Sequence, residues 1–352
     1  MRWGVPDAGL ARVRLRVAFA DFWPDFELEK HILFHALTEL SATVVDDPSE
    51  ANLLIFSVFG ERHRSFVGCK LRYAEENRSP RWDRADFCVG CDHLEDPRFL
   101  RLPPYVPFAF EDRRSGFAAA PGADWATREF CNFIYHWEAT PMRRELFERL
   151  GAYRRVTSAG HYLRNAAEPA LSPRFGDDWR RSKIAYQRRF RFTIACENSS
   201  FPGYVTEKLY DALLAGTIPI YWGSPRVAED VDERAFINCH AFPSLNEVVE
   251  RVCEIDRDPA LAATYLEIAD PMRVPVERHV ERLVEFFGHA AAFVADATPH
   301  HARMRRRARR LRADHLLHSP ATGLGRAWDA AYAWLGDRRR RLMARSATSE
   351  DA

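Results

Sequence analysis

With 352 residues, 47% of them apolar and 29% charged, the chain is long enough for two globular domains that share a cleft. Its 51 basic and 50 acidic residues leave a net charge of +1, so no whole-molecule field draws in a nucleic acid, and any anionic partner has to be met locally. Residues 1–25 hold no signal-peptide core, no apolar run of about 18 residues occurs, and seven scattered cysteines suit reduced thiols, so the expectation is a cytoplasmic chain without a membrane span or disulfide framework.

Leu15–Ala20 reads as a first strand, and Phe26–Leu40 carries helix-period apolar residues at Ile32, Leu33, Leu37 and Leu40. Thr43–Val45 and Leu53–Phe59 read as further strands. This alternation predicts a parallel, helix-covered sheet. Around Glu111–Thr127 the pattern dissolves into charges, alanines, glycines and a proline, which predicts an interdomain linker. A second alternating region follows: strand at Phe130–Tyr135, helix at Met142–Leu150, strand at Phe190–Cys196, helix at Thr206–Ala215, strands at Thr217–Trp222 and Phe236–Cys239, and a helix at Leu245–Ile255. Two α/β domains in tandem place a ligand site between them, near the strand C-terminal ends. The expected division is 1–125, 126–300 with its last helix returning to the first domain, and a basic tail at 301–352.

The chemistry gathers in Glu197-Asn-Ser-Ser200, a loop with Pro202 and Gly203, and Tyr204-Val-Thr-Glu-Lys208 at a helix start. Thr206 is the expected N-cap; the first-turn amides favour an anion and Lys208 adds a cation suited to phosphate. Taken alone, the segment is also compatible with an ordinary βαβ connection and a capped helix.

Phe192–Pro225 (FTIACENSSFPGYVTEKLYDALLAGTIPIYWGSP) resembles the donor-binding block of glycosyltransferase family 10, the α-1,3/4-fucosyltransferases, and especially their bacterial members. The resemblance implies a GT-B fold, two Rossmann-like domains facing a cleft, and inverting transfer of L-fucose from GDP-L-fucose. It implies donor-binding roles for Asn198, Tyr204, Glu207 and Lys208. Phe130–Tyr135 followed by Pro141-Met-Arg143 is similar to the family's strand, loop and helix with a diphosphate-binding arginine, which makes Arg143 the counterpart; without the resemblance Arg143 reads as a solvated helix residue. Tyr73-Ala-Glu-Glu-Asn-Arg-Ser-Pro80 resembles the segment holding the catalytic base, which makes Glu76 that base, with Tyr73 and Asn77 beside it on the acceptor or donor side. In an extended segment Glu75 and Glu76 face opposite ways, so only one enters the cleft.

The family binds its donor without an essential protein-held metal, so no obligatory cofactor is expected, a divalent cation acting as a stimulant if at all. Cys88-x-x-Cys91 lacks a second cysteine pair for zinc. The acceptor implied is O3 of N-acetylglucosamine or a related sugar in a lipid-linked or lipopolysaccharide glycan. Between Arg303 and Arg345 stand thirteen arginines against three acids, with Trp328, Tyr332, Trp334 and Leu335 between the two basic runs. That pattern fits a helix lying in a membrane interface, and the resemblance implies that this is the inner face of the cytoplasmic membrane; an inert tail and nucleic-acid binding are the other readings. A different nucleotide sugar, or a catalytically inert basic-tailed binding protein, would be the competing functions.

Overall fold

In a computed structural model, the described residues are 14–118, 124–166, 171–172 and 178–295. The basic tail at 303–345 lies outside them. The first domain is one six-stranded parallel sheet in the order β2-β1-β3-β4-β5-β6, from β1 (Arg16–Ala20), β2 (Thr43–Val44), β3 (Leu53–Phe56), β4 (Cys69–Tyr73), β5 (Phe87–Gly90) and β6 (Phe99–Arg101). Helices α1 (Ile32–Glu39) and α2 (Val106–Ser115) cover one face, where Leu33, Leu37, Val106 and Phe110 bury against Leu53, Ile55, Leu71 and Phe87. The other face carries a smaller cluster of Phe56, Ala85, Cys88 and Phe99 with Trp82, supplied by the β4–β5 connection rather than by a helix.

The second domain is a five-stranded parallel sheet in the order β11-β10-β9-β7-β8, from β7 (Glu129–Phe133), β8 (Val156–Ser158), β9 (Phe190–Cys196), β10 (Ile218–Trp222) and β11 (Ile237–Asn238). Helices α3 (Pro141–Tyr153) and α6 (Leu245–Arg257) bury Leu146, Leu150, Val248 and Val252 against Phe192, Ile194 and Ile220. Helices α4 (Trp179–Gln187), α5 (Glu207–Leu214) and α7 (Pro259–Leu266) complete it. Two such domains facing a cleft make this a GT-B fold.

The domains share an apolar cluster, with Ala195, Val205, Leu209 and Tyr221 packed into the same core as Leu102, Tyr105 and Val106. Ion pairs lock its rim. Arg101 donates twice to buried Asp230 (2.9 and 2.6 Å), and Arg180 bridges Asp112 (2.7 Å) and Asp211 (2.8 Å). The long helix α8 (Val276–Ala295) packs on α1 and α2, burying Leu283, Phe286, Phe287 and Ala290, with Phe286 edge-on to Phe87 at 5.7 Å. No described helix is long and apolar enough to cross a membrane.

Three sequence expectations change. The helix expected over Phe26–Leu40 begins at Ile32, because His31 is extended (φ −85°, ψ 147°) and caps it by accepting the Leu33 amide; Leu28–Lys30 before it is a 3-10 turn. The expected linker loses its first part to α2, whose charged end runs to Ser115 and stops at Gly116 with φ +66°. Strands β4, β5, β6 and β8 were not anticipated; β4 alternates Lys70 and Arg72 with Leu71 and Tyr73, yet both basic residues are buried.

Candidate active site

The site lies where the β9–α5 connection meets the loop after β4. Glu197 follows β9 directly and is fully buried (0% exposed). Its carboxylate accepts the Thr206 amide and hydroxyl, both at 2.8 Å, so a strand end and a helix start are tied by one side chain. Thr206 in turn caps α5 by accepting the Lys208 amide at 3.3 Å. The Lys208 ammonium sits 3.4 Å from Glu197 and 3.5 Å from Glu207. Burial disfavours its charged form, but Glu207 and Glu197 outweigh that and raise its pKa. Burial likewise opposes ionisation of Glu207, which Lys208 and Lys183 reverse, pulling its pKa down to about 2. The lysine is thus a fixed cation at a helix N-terminus, where an anionic ligand is favoured.

Arg143 is not a solvated helix residue. It is 2% exposed, lies 4.0 Å over the Tyr135 ring, and donates to the Trp137 carbonyl (3.0 Å), the Cys196 carbonyl (3.1 Å) and Asn198 Oδ1 (2.8 Å). It lies inside the second-domain wall and holds Asn198, whose amide NH₂ is the group left to donate. Its charge is felt at Lys208, where it opposes the protonated form.

Across the cleft, Glu75 and Glu76 separate through a bend at residues 75–77 rather than along the extended segment expected. Glu75 turns inward, accepting the Tyr73 hydroxyl at 2.6 Å with His31 Nε2 at 3.1 Å. Glu76 turns to the second domain, where the Tyr204 hydroxyl donates to it over 3.4 Å. Desolvation raises the Glu76 pKa, and Lys208 and Arg78 counter it only in part. Asn77 reaches the same way, its amide donating to Ser199 Oγ at 2.6 Å. Tyr73 does not face the cleft: it is 1% exposed, stacked 6.0 Å from Phe22, and committed to Glu75. Its expected place beside the ligand is therefore corrected to the first-domain core, because β4 alternation sends odd residues to the helix-covered face.

The structure thus brings together Glu76, Asn77, Asn198, Tyr204, Glu207 and Lys208, with Arg143 beneath them. Sequence reasoning missed Glu197 as the acid that organises the wall, Ser199 as the partner of Asn77, and Arg78 as a cation near Glu76. The signal for Glu197 was present, since an acid directly after a buried strand needs partners. The motif's glycines have packing causes. Gly203 sits at φ +88°, where a β-carbon would collide with the Cys91 carbonyl, and a side chain at Gly223 would collide with Glu197 and the Tyr221 hydroxyl. Cys88 and Cys91 are buried thiols with pKa values pushed up, Cys88 to about 12, and no metal-binding cluster occurs among the described residues.

Residues 125–301 match the glycosyltransferase family 10 (fucosyltransferase) C-terminal profile, and residues 17–108 match the N-terminal domain of the α-(1,3)-fucosyltransferase FucT. The chain belongs to glycosyltransferase family 10. It is 26% identical over 279 residues to the Helicobacter pylori α-(1,3)-fucosyltransferase FucT, covering 68% of this chain and 56% of that one. Human α-(1,3)-fucosyltransferase 4 is 39% identical over 176 residues, 49% of this chain and 28% of its own length. The chain therefore spans just over half of the first of these family 10 relatives and less of the second. A crystal structure of an α1,3-fucosyltransferase with GDP-fucose superposes with a TM-score of 0.66 at 20% identity, over 84% of this chain and 94% of that one, which fixes the shared fold.

Proposed function

We propose that this family 10 member is an inverting α-(1,3)-fucosyltransferase that moves L-fucose from GDP-L-fucose to a glycan hydroxyl. The observation that carries the reading is the meeting of a desolvated carboxylate from one domain, Glu76, with Tyr204 and the fixed cation Lys208 of the other. In this reading GDP lies on the second-domain wall. Lys208 and the α5 N-terminus take the diphosphate, Asn198 donates to the donor, and Arg143 adds positive charge from below while holding Asn198. Glu207 keeps Lys208 protonated. Glu76 takes the proton of the acceptor hydroxyl as its oxygen attacks the sugar C1 opposite the departing GDP, and Lys208 and Arg143 offset the charge that develops on that GDP. The three carboxylates thereby divide the chemistry, since Glu76 accepts a proton, Glu197 builds the wall, and Glu207 fixes a charge.

The acceptor in this reading is O3 of N-acetylglucosamine or a related unit of a lipid-linked or lipopolysaccharide glycan in a bacterium. The tail at 303–345 holds the enzyme on the inner face of the cytoplasmic membrane through its arginines. No obligatory cofactor is needed, a divalent cation acting at most as a stimulant. The test is transfer from a panel of nucleotide sugars to glycan acceptors, with product linkage determined by NMR. Turnover of GDP-fucose, silenced in Glu76→Gln while GDP still binds, supports the reading; turnover of UDP-sugars instead, or full activity of that variant, overturns it.

A further inference from the structure

On the first-domain sheet face turned away from α1 and α8, a cavity of about 190 Å³ is lined by His63, Arg64, Lys70, Asp83 and Arg84. None of these belongs to the cleft set. His63 is 3% exposed and stacks on Phe56 with ring centroids 4.1 Å apart. Its Nδ1 lies 2.7 Å from Asp21 Oδ2, and Asp21 also accepts the amides of Arg62 and His63. The ring position is therefore fixed, while Nε2 is buried without a hydrogen-bond partner among the described groups. A buried imidazole nitrogen without a partner is unusual enough to ask what completes it.

The surrounding charge gives the answer. Asp83 is already held on both oxygens by Arg81, at 2.9 Å each, which leaves Arg84 3.8 Å from the same carboxylate. Burial and the neighbouring charges of Arg81 and Arg64 push the Arg84 pKa down, and Asp83 and Glu61, the latter paired with Arg64, counter them only in part. Lys70 adds a further, nine-tenths buried cation to the lining.

We propose that this cavity is a second anion site, which takes a tetrahedral oxyanion, phosphate or sulfate, either free or as a substituent on a glycan. Arg84, Arg64 and Lys70 supply charge-assisted donors. His63 Nε2, held in place by the contact of the same ring with Asp21, is a further polar group lining the cavity.

The full chain, its cleft occupied by saturating GDP, is tested by thermal shift in inorganic phosphate or sulfate against chloride at matched ionic strength. Saturable stabilisation is expected, abolished in Arg84→Gln and kept in Lys208→Ala. Removing the competing carboxylate in Asp83→Asn should tighten the midpoint about threefold, a gain that a folding defect does not produce. Absence of saturation in the wild type, retention in Arg84→Gln, loss in Lys208→Ala or an unchanged midpoint in Asp83→Asn each overturns the site. Given saturation, N-acetylglucosamine 6-phosphate acting at lower concentration than inorganic phosphate assigns the anion to a glycan; equal concentrations assign it to the free ion.

Discussion

The two walls of the cleft are built on different physics. On the second-domain side every charged group is tied down: Glu197 by Thr206, Lys208 by two carboxylates, Arg143 by two carbonyls and Asn198. On the first-domain side Glu76 stands on a loop after β4 with, among the described residues, a single long hydrogen bond and a raised pKa. A wall that binds a diphosphate gains from charges fixed in advance. A group that exchanges a proton gains from being weakly held, since every strong donor to its ionised form makes it a poorer base.

The largest expected effect breaks the weakly held side. Glu76→Gln should lower the transfer rate by about 10²–10⁴-fold with GDP affinity nearly unchanged, measured by steady-state kinetics and calorimetry. A base works ionised, so wild-type transfer should fall as pH drops through the raised Glu76 pKa, and the profile should move if Arg78 is neutralised. Because that raised pKa means folding disfavours the charge at neutral pH, Glu76→Gln should not lower the melting temperature. A marked loss of stability would show that Glu76 is a structural tie like Glu197.

Lys208→Met attacks the fixed side and should show the opposite signature. Losing a charge-assisted contact of about 1.5–3 kcal/mol weakens GDP binding about 10- to 100-fold. Glu197 and Glu207 lose their shared counter-ion, so stability should fall by about 3–5 kcal/mol, read by denaturant unfolding. Equal stability with lost binding would mean that the lysine serves only the ligand.

This asymmetry also governs what the sequence made legible. The strand, loop and helix from Phe190 to Leu214 could be read from apolar alternation, and Thr206 from its place before a helix start, because these are local signals. The opposite facing of Glu75 and Glu76 followed from the expectation of an extended segment, though the backbone reaches it through a bend at 75–77. The burial of Arg143 did not, since beside Arg144 on α3 it looks solvated, and its partners Cys196 and Asn198 lie more than fifty residues away. Strand β4 and the end of α2 were hidden for the same reason: Lys70, Arg72 and Asp112 read as surface residues, and only distant partners such as Arg180 on Asp112 make their burial tolerable.

A third test concerns what holds the walls together. His279 of α8 is 1% exposed, edge-on to Tyr105 at 6.3 Å, and burial followed by the charges of Arg282 and Arg101 pushes its pKa from 6.5 to about 4. The folded chain keeps it neutral while the unfolded chain protonates below about pH 6.5. Stability should therefore decline as pH falls from 6.5 towards 4, by up to about 3 kcal/mol from this group. His279→Leu should flatten that part of the acid-unfolding curve; an unchanged curve would place the acid sensitivity elsewhere.

The smallest effect sharpens the comparison most finely. Asn77 is adjacent to Glu76 and donates to Ser199, so it is a direct side-chain bond between the loosely held wall and the fixed one. Asn77→Ala removes one neutral hydrogen bond at a half-buried position, which is worth about 1 kcal/mol. If the fixed wall positions the loose one, that loss should appear as a fall in kcat of about fivefold, with the KM for the donor and the melting temperature nearly unchanged. Ser199→Ala should give the same result, and the double variant should do no more harm than either single one, because both remove the same contact. Additive losses would mean that each residue touches substrate independently and that the loop carrying Glu76 holds its position without the second domain.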